Sequence, residues 1–269
     1  MAQLCPPIHL IDITMTQAIP SDVSKWVRGK KIENASLFCQ KYMLPIDYGA
    51  DKKKQKSEAL RQLTQETKPS MLSGKRTKSL IQLISDNYGE QSRIVYAKLQ
   101  SRLAINLSES LLDNVGLALD RTLGNPYIPG SAVKGCCHHA AYWMWKNGEL
   151  DETILHDIFG QGANDEDSHK GWITFLPAHP LSGAQVELDI LTPHPRINGE
   201  EKNPVPVEYP VVKSGAQFAF IYLLNPLGCR QPSDKQSACL DAMDEIIERA
   251  LDNGFGAKTA AGLGWFERD

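Results

Sequence analysis

The residues from Asn125 to Gly135, which spell Asn-Pro-Tyr-Ile-Pro-Gly-Ser-Ala-Val-Lys-Gly, have the types and the spacing to bind an anion. The two prolines predict turns, and the apolar residues that follow recur at helical spacing. We therefore expect a helix with Ser131 as its N-cap. Its first turn would offer free backbone amides and Lys134, and the small residues Gly130 and Gly135 would allow close approach to the backbone. An ordinary capped helix with a solvated lysine is the alternative.

A second candidate stretch is the glycine-rich segment from Gly254 to Gly264, Gly-Phe-Gly-Ala-Lys-Thr-Ala-Ala-Gly-Leu-Gly. Glycines such as Gly256 and Gly262 surround Lys258 and Thr259, giving a flexible backbone that can pack against phosphate or ribose. The glycine spacing matches neither a Walker A loop nor a dinucleotide-binding fingerprint. The alternative is a structural turn between a helix and an edge strand.

Histidines are the residues to weigh for catalysis or metal binding. Among the seven, His194 is the best single candidate for a functional role, with simple packing at a strand end as the alternative. The run Cys136–His139 cannot converge on one metal ion, because adjacent helical positions point in different directions. Metal-independent RNA cleavage needs a base near a 2′-hydroxyl and an acid near the leaving oxygen, and no such pair stands out. We expect no catalytic residue, no metal and no cofactor.

The charge is unevenly distributed along the chain. The formal net charge is only -3, but residues 25–102 hold 17 Lys and Arg against 7 Asp and Glu, while the remainder holds 12 against 25. A basic segment on an acidic body predicts a face that binds a polyanion such as RNA or DNA. A solvated, partly disordered insert is the alternative, particularly for Lys52–Lys56.

Length and composition place the chain among globular proteins. Its 269 residues, 42% of them hydrophobic, can form one large domain or one domain with an appendage. The longest apolar run, Phe218–Leu224, is too short to cross a bilayer, and Met1–Pro7 lacks the pattern of a signal peptide. The six cysteines lack paired spacing, which argues against a zinc knuckle or disulfide framework and favours a reducing cytosol. We expect a cytoplasmic protein that does not bind membranes.

The periodicity divides the chain at about residue 92. Residues 1–92 are predicted to form a mainly helical, basic appendage packed on the core, and residues 93–269 the main domain. The appendage is expected to contain helices at Lys25–Met43, Ser57–Leu63 and Thr77–Tyr88. The main domain is then expected to have, in order, strand Ile94–Ile105, helices Ser131–Lys146 and Glu152–Phe159, strands Trp172–Leu176, Val186–Leu191, Val211–Val212 and Gln217–Leu224, helix Ser237–Asp252 and strand Leu263–Phe266.

This order predicts an α+β fold. Strand, helix, strands, helix and terminal strand follow one another as in the ferredoxin-like βαββαβ sheet with loop insertions, which is also the scaffold of RRM-like RNA-recognition modules.

The motifs together carry a resemblance to a known family. Ile128–Gly135, Phe159-Gly160 with the strand that follows, and the Gly254–Gly264 ending resemble the RAMP superfamily of CRISPR-associated proteins. Within it, Leu188–His194, Pro204-Val205-Pro206 and strand Gln217–Leu224 resemble the sixth-subunit family of type III-B (Cmr) effector complexes. The resemblance runs from about Arg93 to the C-terminus and fits the basic appendage only loosely.

The resemblance implies a non-catalytic subunit that binds CRISPR guide RNA toward its 3′ end, contributes to recognition of target RNA in antiviral defence, and contacts other subunits of the effector. The residues expected to bind RNA are Arg93, Arg121, Gly130, Ser131, Lys134, Gly135, Gly256, Lys258, Thr259 and Gly262.

Two other functions remain open. One is a RAMP-type endoribonuclease that processes guide precursors, using His194 or His139 together with Lys134. The other is a structural assembly subunit whose basic region contacts acidic neighbours. Trp143 and Trp145 depart from the family pattern and indicate a contact with a partner or with an inserted segment.

Overall fold

A computed structural model gives the conformation of most of the main domain and of part of the segment before it. The described residues are 20, 22–23, 25, 32, 34–42, 52–66, 71–107, 116–162, 168–192, 196–197, 200–201, 203–204, 206–225 and 233–269.

The described chain is a mixed α+β structure with antiparallel sheets. The strands are β1 (Ser92–Leu99), β2 (Ile173–Phe175), β3 (His179–Pro180), β4 (Val186–Leu191), β5 (Arg196–Ile197), β6 (Glu200–Glu201), β7 (Val207–Val212), β8 (Gln217–Leu224) and β9 (Phe266–Arg268). The longer helices are α1 (Lys52–Glu66), α2 (Met71–Tyr88), α3 (Gly130–Lys146), α4 (Glu152–Phe159) and α5 (Ser233–Asn253). A short α-helical turn at Ala35–Leu37 and a π-helical turn at Phe38–Tyr42 precede them. None of the helices in these ranges is long and apolar enough to span a membrane.

The main sheet has the strand order β2-β8-β1-β9, and every neighbouring pair is antiparallel. The short β3 also pairs with β8, beyond the end of β2. Strands β4 and β7 form a separate antiparallel hairpin, and β5 pairs with β6. The sheet therefore places β1 and β8 at its centre, with β9 beside β1 at one edge.

One face of the main sheet packs against α3 and α5. Predicted core positions Val133, Cys137, Ala140 and Met144 on α3 are all buried, as the helical spacing requires. They join Phe218, Phe220 and Tyr222 of β8 and Met243, Ile246 and Ile247 of α5 in one hydrophobic core. This confirms the apolar face that the sequence predicts for the first helix of the main domain.

The basic segment packs on the opposite side. Ile84 of α2 is buried against Ile221 and Leu223 of β8. Leu60 of α1 is buried with Tyr209 and Val211 of β7. These two helices thus cover part of the second sheet face and the β4–β7 hairpin.

Several predicted boundaries differ from the structure. Strand β1 ends at Leu99 and not at Ile105, because Leu103 leaves the β8 register to bridge Val212 of β7. The terminal strand begins at Phe266, since Gly264 has a φ of 75° and makes a turn. The helix predicted at Ser57–Leu63 is longer and extends from Lys52 to Glu66. By contrast, the predictions for α4, β4 and β8 are confirmed at both ends. The described part of the predicted helix Lys25–Met43 is α-helical at Ala35–Leu37 and π-helical at Phe38–Tyr42.

Two glycines of α3 provide a test of this packing. A Cβ on Gly130 would lie 2.5 Å from the Phe175 carbonyl oxygen, whereas a Cβ on Gly135 would have no neighbour within 4 Å. We expect Gly130→Ala to lower the free energy of unfolding by about 1–3 kcal/mol, as overpacking does. Gly135→Ala should raise it by roughly 0.5–1 kcal/mol, because alanine is the better helix former. Urea denaturation of both variants measures the difference, and equal effects would contradict the close contact at Gly130.

Candidate nucleic-acid interface

The start of α3 is anchored to the edge of the sheet. Ile128 and Ala178 exchange two backbone hydrogen bonds of 2.9 Å each. Pro129 then occupies the N-cap position with φ -56° and ψ 142°, and the helix begins at Gly130. The prediction that Ser131 is the N-cap is wrong, because Gly130 already turns into the helix beneath the Phe175 carbonyl, where only a glycine fits. The serine is an exposed residue of the first turn.

The first turn of α3 has the donors that an anion needs. The Pro129 carbonyl accepts the N–H groups of Ala132 and Val133, at 2.9 and 3.0 Å. The preceding amides of Gly130 and Ser131 have no such acceptor among the described residues, as expected for the first residues of a helix. Together with the positive end of the helix dipole, they favour a negatively charged ligand.

Lys134 extends from this turn toward α4. Its Nζ donates to the Phe159 carbonyl oxygen at 2.9 Å, at the C-terminal end of α4, and the rest of the residue is exposed. One turn further along, the His138 ring packs edge-on to Phe159 with centroids 4.9 Å apart. Burial and then the nearby Lys134 charge lower the pKa of His138. One ammonium N–H is therefore committed to the fold, and two remain for a ligand.

The glycine-rich loop is tightly held by the chain that follows β1. Ala257 N–H donates to the Ala104 carbonyl at 2.7 Å, and Gly264 N–H donates to the Arg102 carbonyl at 2.7 Å. A Cβ on Gly256 would lie 2.3 Å from the Ala104 oxygen, and one on Gly264 only 1.9 Å from the Phe255 oxygen. These two glycines are therefore required by contacts within the protein. Gly262, with φ 86° and open space beside it, is the one of the three that faces outward.

Lys258 is fixed in an unusual conformation at the tip of this loop. Its φ of 62° is in the left-handed region, which a lysine seldom adopts. Its Nζ lies 4.1 Å from the centroid of the Tyr209 ring, at cation–π distance. The ring is held in turn, because the Tyr209 hydroxyl donates to Asp189 at 2.9 Å and Arg102 pairs with the same carboxylate at 3.0 Å. Burial, followed by the hydrogen bond to Asp189, raises the pKa of Tyr209 to about 12.

The two motifs lie side by side. Phe255 of the loop is buried in the same core as Val133 and Cys137 of α3. Burial raises the pKa of the Cys136 thiol, and the neighbouring Gly256 backbone lowers it in part. Lys134 and Cys136 are two residues apart and thus about 200° apart around the helix axis. The loop and the Lys134 ammonium consequently flank the exposed face of α3 that carries Ser131 and Gly135.

The profile of the RAMP superfamily matches residues 97–267. This range includes β1 from its middle, all of α3 and the whole glycine-rich loop.

The chain belongs to the RAMP superfamily.

Two of the similar proteins belong to Cmr systems. The chain is 25% identical to the CRISPR system Cmr subunit Cmr6 of Pyrococcus furiosus, in a match that covers 62% of this chain and 65% of that protein. The chain thus spans less than two thirds of the length of this curated relative. Its fold is similar to that of a chain in the cryo-EM structure of the type III-B Cmr-beta bound to cognate target RNA, with a TM-score of 0.56, 21% identity and coverage of 87% of this chain and 79% of that one. The resemblance seen in the sequence is confirmed.

Two of the residues predicted to bind RNA, Arg93 and Arg121, are not part of the surface around α3. Arg93 donates to the Glu90 carbonyl at 2.9 Å and pairs with Asp244 at 3.3 Å, on the acidic helix α5. Arg121 is exposed in a turn whose carbonyls accept hydrogen bonds from Asn34, the Arg121 carbonyl at 2.9 Å. His194 lies outside the described residues.

Residues that the sequence did not single out complete the surface. Arg102, Asp189 and Tyr209 position Lys258, yet they come from β4, β7 and the segment after β1, so no local motif marks them. Trp265, half exposed beside the loop, is the one with a local signal, because it directly follows the last glycine. The described residues contain no group of three or more His, Cys, Asp or Glu side chains that could hold a metal ion.

Tyr127, within the Asn125–Gly135 stretch, stacks on the buried His179, and this histidine should make the stability of the protein depend on pH. The rings of Tyr127 and His179 stack at 5.6 Å with an interplanar angle of 19°. Burial lowers the pKa of His179, and the charge of Asp120 opposes this only partly. Below pH 6.5 the unfolded chain therefore takes up a proton that the folded chain does not, and stability falls as the pH is lowered.

We expect the free energy of unfolding to decrease between pH 7.5 and 5.5, and to decrease less in His179→Phe, which keeps the ring but cannot titrate. Urea denaturation at both pH values measures this. An identical pH dependence in the wild type and the variant would show that His179 is not the group responsible.

Proposed function

We propose that this RAMP protein is a non-catalytic RNA-binding subunit of a type III-B CRISPR effector complex. It holds the guide RNA, toward its 3′ end, contributes to recognition of target RNA and contacts the neighbouring subunits. The similarity to Cmr6, and to a chain of a Cmr-beta structure bound to target RNA, supports this assignment. Such a complex would work in the cytoplasm, where cysteines are kept reduced.

The observation that carries the proposal is the packing of the glycine-rich loop beside α3, where Phe255 is buried in the same core as Cys137 and the Gly256 backbone lies beside Cys136. It brings a helix N-terminus, with Lys134 on one flank, next to a rigid loop that holds Lys258. Backbone amides and lysines bind phosphate rather than base edges, so this surface would hold RNA of any sequence. Sequence independence is what a subunit needs when its guide RNA varies.

We further propose that the main sheet is the ferredoxin-like βαββαβ arrangement. The support is the order β2-β8-β1-β9, all antiparallel, with α3 after β1 and α5 after β8. Residues 93–269 would form this domain, and residues 1–92 an appendage whose helices α1 and α2 pack on it. The 17 basic residues of positions 25–102 would add electrostatic attraction for RNA.

The absence of catalysis in this proposal is supported by the way α3 presents its side chains. Lys134 and His139 are five residues apart and thus about 140° apart around the axis, so they do not converge on one phosphate. The His139 ring instead lies edge-on to Trp143, with centroids 6.3 Å apart. The histidine with the lowered pKa on this helix, His138, packs on Phe159.

Removal of the lysines tests the RNA-binding surface. We expect Lys258→Ala and Lys134→Ala each to weaken binding of unrelated single-stranded RNAs to a similar extent. Each should also reduce the slope of log K against log salt by about 0.7, the value for one lost phosphate contact on a single strand. Fluorescence anisotropy with labelled RNA at several salt concentrations provides the measurement.

The matched control is Lys146→Ala, on the same helix as Lys134 but about 18 Å further along its axis. Lys146 is exposed and lies over the Trp145 ring at 4.2 Å, and it should not affect RNA affinity. Normal RNA affinity in both Lys258→Ala and Lys134→Ala would contradict the proposal that this surface binds phosphate. A loss of affinity that depends strongly on base sequence would also contradict it.

Incubation of the purified chain with repeat RNA in EDTA tests the assignment as a non-enzyme. Metal-independent cleavage would still occur under these conditions, and we expect the RNA to remain intact. Site-specific cleavage that disappears in His194→Ala, His138→Ala or His139→Ala would establish a nuclease instead.

A further inference from the structure

Trp265 is held firmly at the protein surface beside the glycine-rich loop. Half of the residue, 51%, is exposed. Its indole Nε1–H donates to the Thr259 carbonyl at 3.3 Å, and its Cδ1 lies 3.2 Å from the position that a Cβ on Gly254 would take. Its backbone N–H donates to the Ser101 hydroxyl at 3.1 Å. One edge of the ring is thus tied to the loop, and the rest is open to solvent.

The sheet register puts Trp265 on the face opposite the core. Leu99 is paired with Phe266, and the Gln100 N–H donates to the Trp265 carbonyl at 2.8 Å, which continues the pairing by one residue. Phe266 is buried in the core, so its neighbour Trp265 points the other way. This is the face that α2 covers at Ile221 and Leu223. Next to Trp265 the same face remains open, since Tyr96 and Lys98 are exposed there.

The charges around Trp265 favour an uncharged group of the ligand, and not a phosphate, against the indole ring. Glu267 accepts a hydrogen bond from Gln100 at 2.7 Å, and Asp269 accepts one from Gln217. A phosphate placed over this part of the sheet would be repelled by both carboxylates, and Lys98, which pairs with Glu267 across the strands, offsets only one of them. A nucleobase has no such penalty, and its phosphate would lie on the other side of Trp265, at Lys258 and Thr259.

We infer that Trp265 is a stacking platform for one base of the RNA, adjacent to the phosphate-binding loop. The inference rests on the proposed function and adds a base contact to a surface that otherwise binds the backbone. An aromatic face accepts every base, so the contact preserves sequence independence. The tether through Nε1 keeps the ring in place before RNA arrives, which reduces the entropy lost on binding.

The experiment compares two single strands of equal length, an oligouridylate and a strand of stabilised abasic ribose phosphates. Binding to the full-length chain is measured by anisotropy for the wild type, Trp265→Leu, Trp265→Phe and Lys258→Ala. Trp143→Leu is the matched control, because Trp143 is 52% exposed but lies toward the far end of α3. Thermal denaturation of each variant verifies that it is folded.

We expect Trp265→Leu to weaken oligouridylate binding about tenfold, within the range of a lost base–aromatic stack, and to leave abasic binding and the salt slope unchanged. Trp265→Phe should lose less, and Trp143→Leu nothing. Lys258→Ala should weaken both strands equally. Intrinsic tryptophan fluorescence should be quenched by oligouridylate less in Trp265→Leu than in Trp143→Leu.

The contrary results separate this inference from the proposed function. If Trp265→Leu weakens binding of both strands equally, the indole only anchors the loop. If it changes the affinity for neither strand, Trp265 does not contact RNA and is available for a protein contact. Either result overturns base stacking on Trp265 but not the proposed function. Failure of the wild type to bind either strand would overturn the proposed function, and the platform with it.

Discussion

The three residues Arg102–Ala104 are hydrogen-bonded along both edges, and the candidate interface depends on this arrangement. On one edge Leu103 and Val212 exchange backbone hydrogen bonds of 2.9 and 2.8 Å, which joins the β4–β7 hairpin to the end of β1. On the other edge the Arg102 and Ala104 carbonyls accept from Gly264 and Ala257. The hairpin that carries Tyr209 and the loop that carries Lys258 are thereby fixed against one backbone segment. Their cation–π contact follows from that shared support.

The same constraint divides the glycines of the loop into two groups. Gly256 and Gly264 meet neighbouring backbone oxygens so closely that no side chain fits, and both have positive φ angles. Gly262 has a positive φ but open space around it. A rigid loop of this kind loses little entropy when it binds a flexible RNA strand, because its donors are already in position. Flexibility, which glycine content alone would indicate, is therefore a poor description of this segment.

The sequence predicted the surface well where the signal is local. Helical spacing identified the buried face of α3. The N-cap was predicted at the wrong residue because the start of the helix is set by the close approach of Gly130 to the Phe175 carbonyl. This residue is distant in sequence, so no local pattern reveals the contact. The break in β1 after Leu99 has the same origin, since the backbone that follows pairs with Val212 on one edge and with Ala257 on the other. Arg93 was predicted from its charge, yet two carboxylates of α5 already engage it.

Hydrogen–deuterium exchange of the full chain, with and without single-stranded RNA, tests the central claim that the loop and the start of α3 form one RNA-binding surface. RNA should protect the amides of Gly130 and Ser131 together with those between Lys258 and Trp265, at the same RNA concentration. The C-terminal half of α3, around Trp143, should exchange as before and serves as the internal reference. Protection confined to only one of the two motifs, or to segments outside both, would contradict a shared surface.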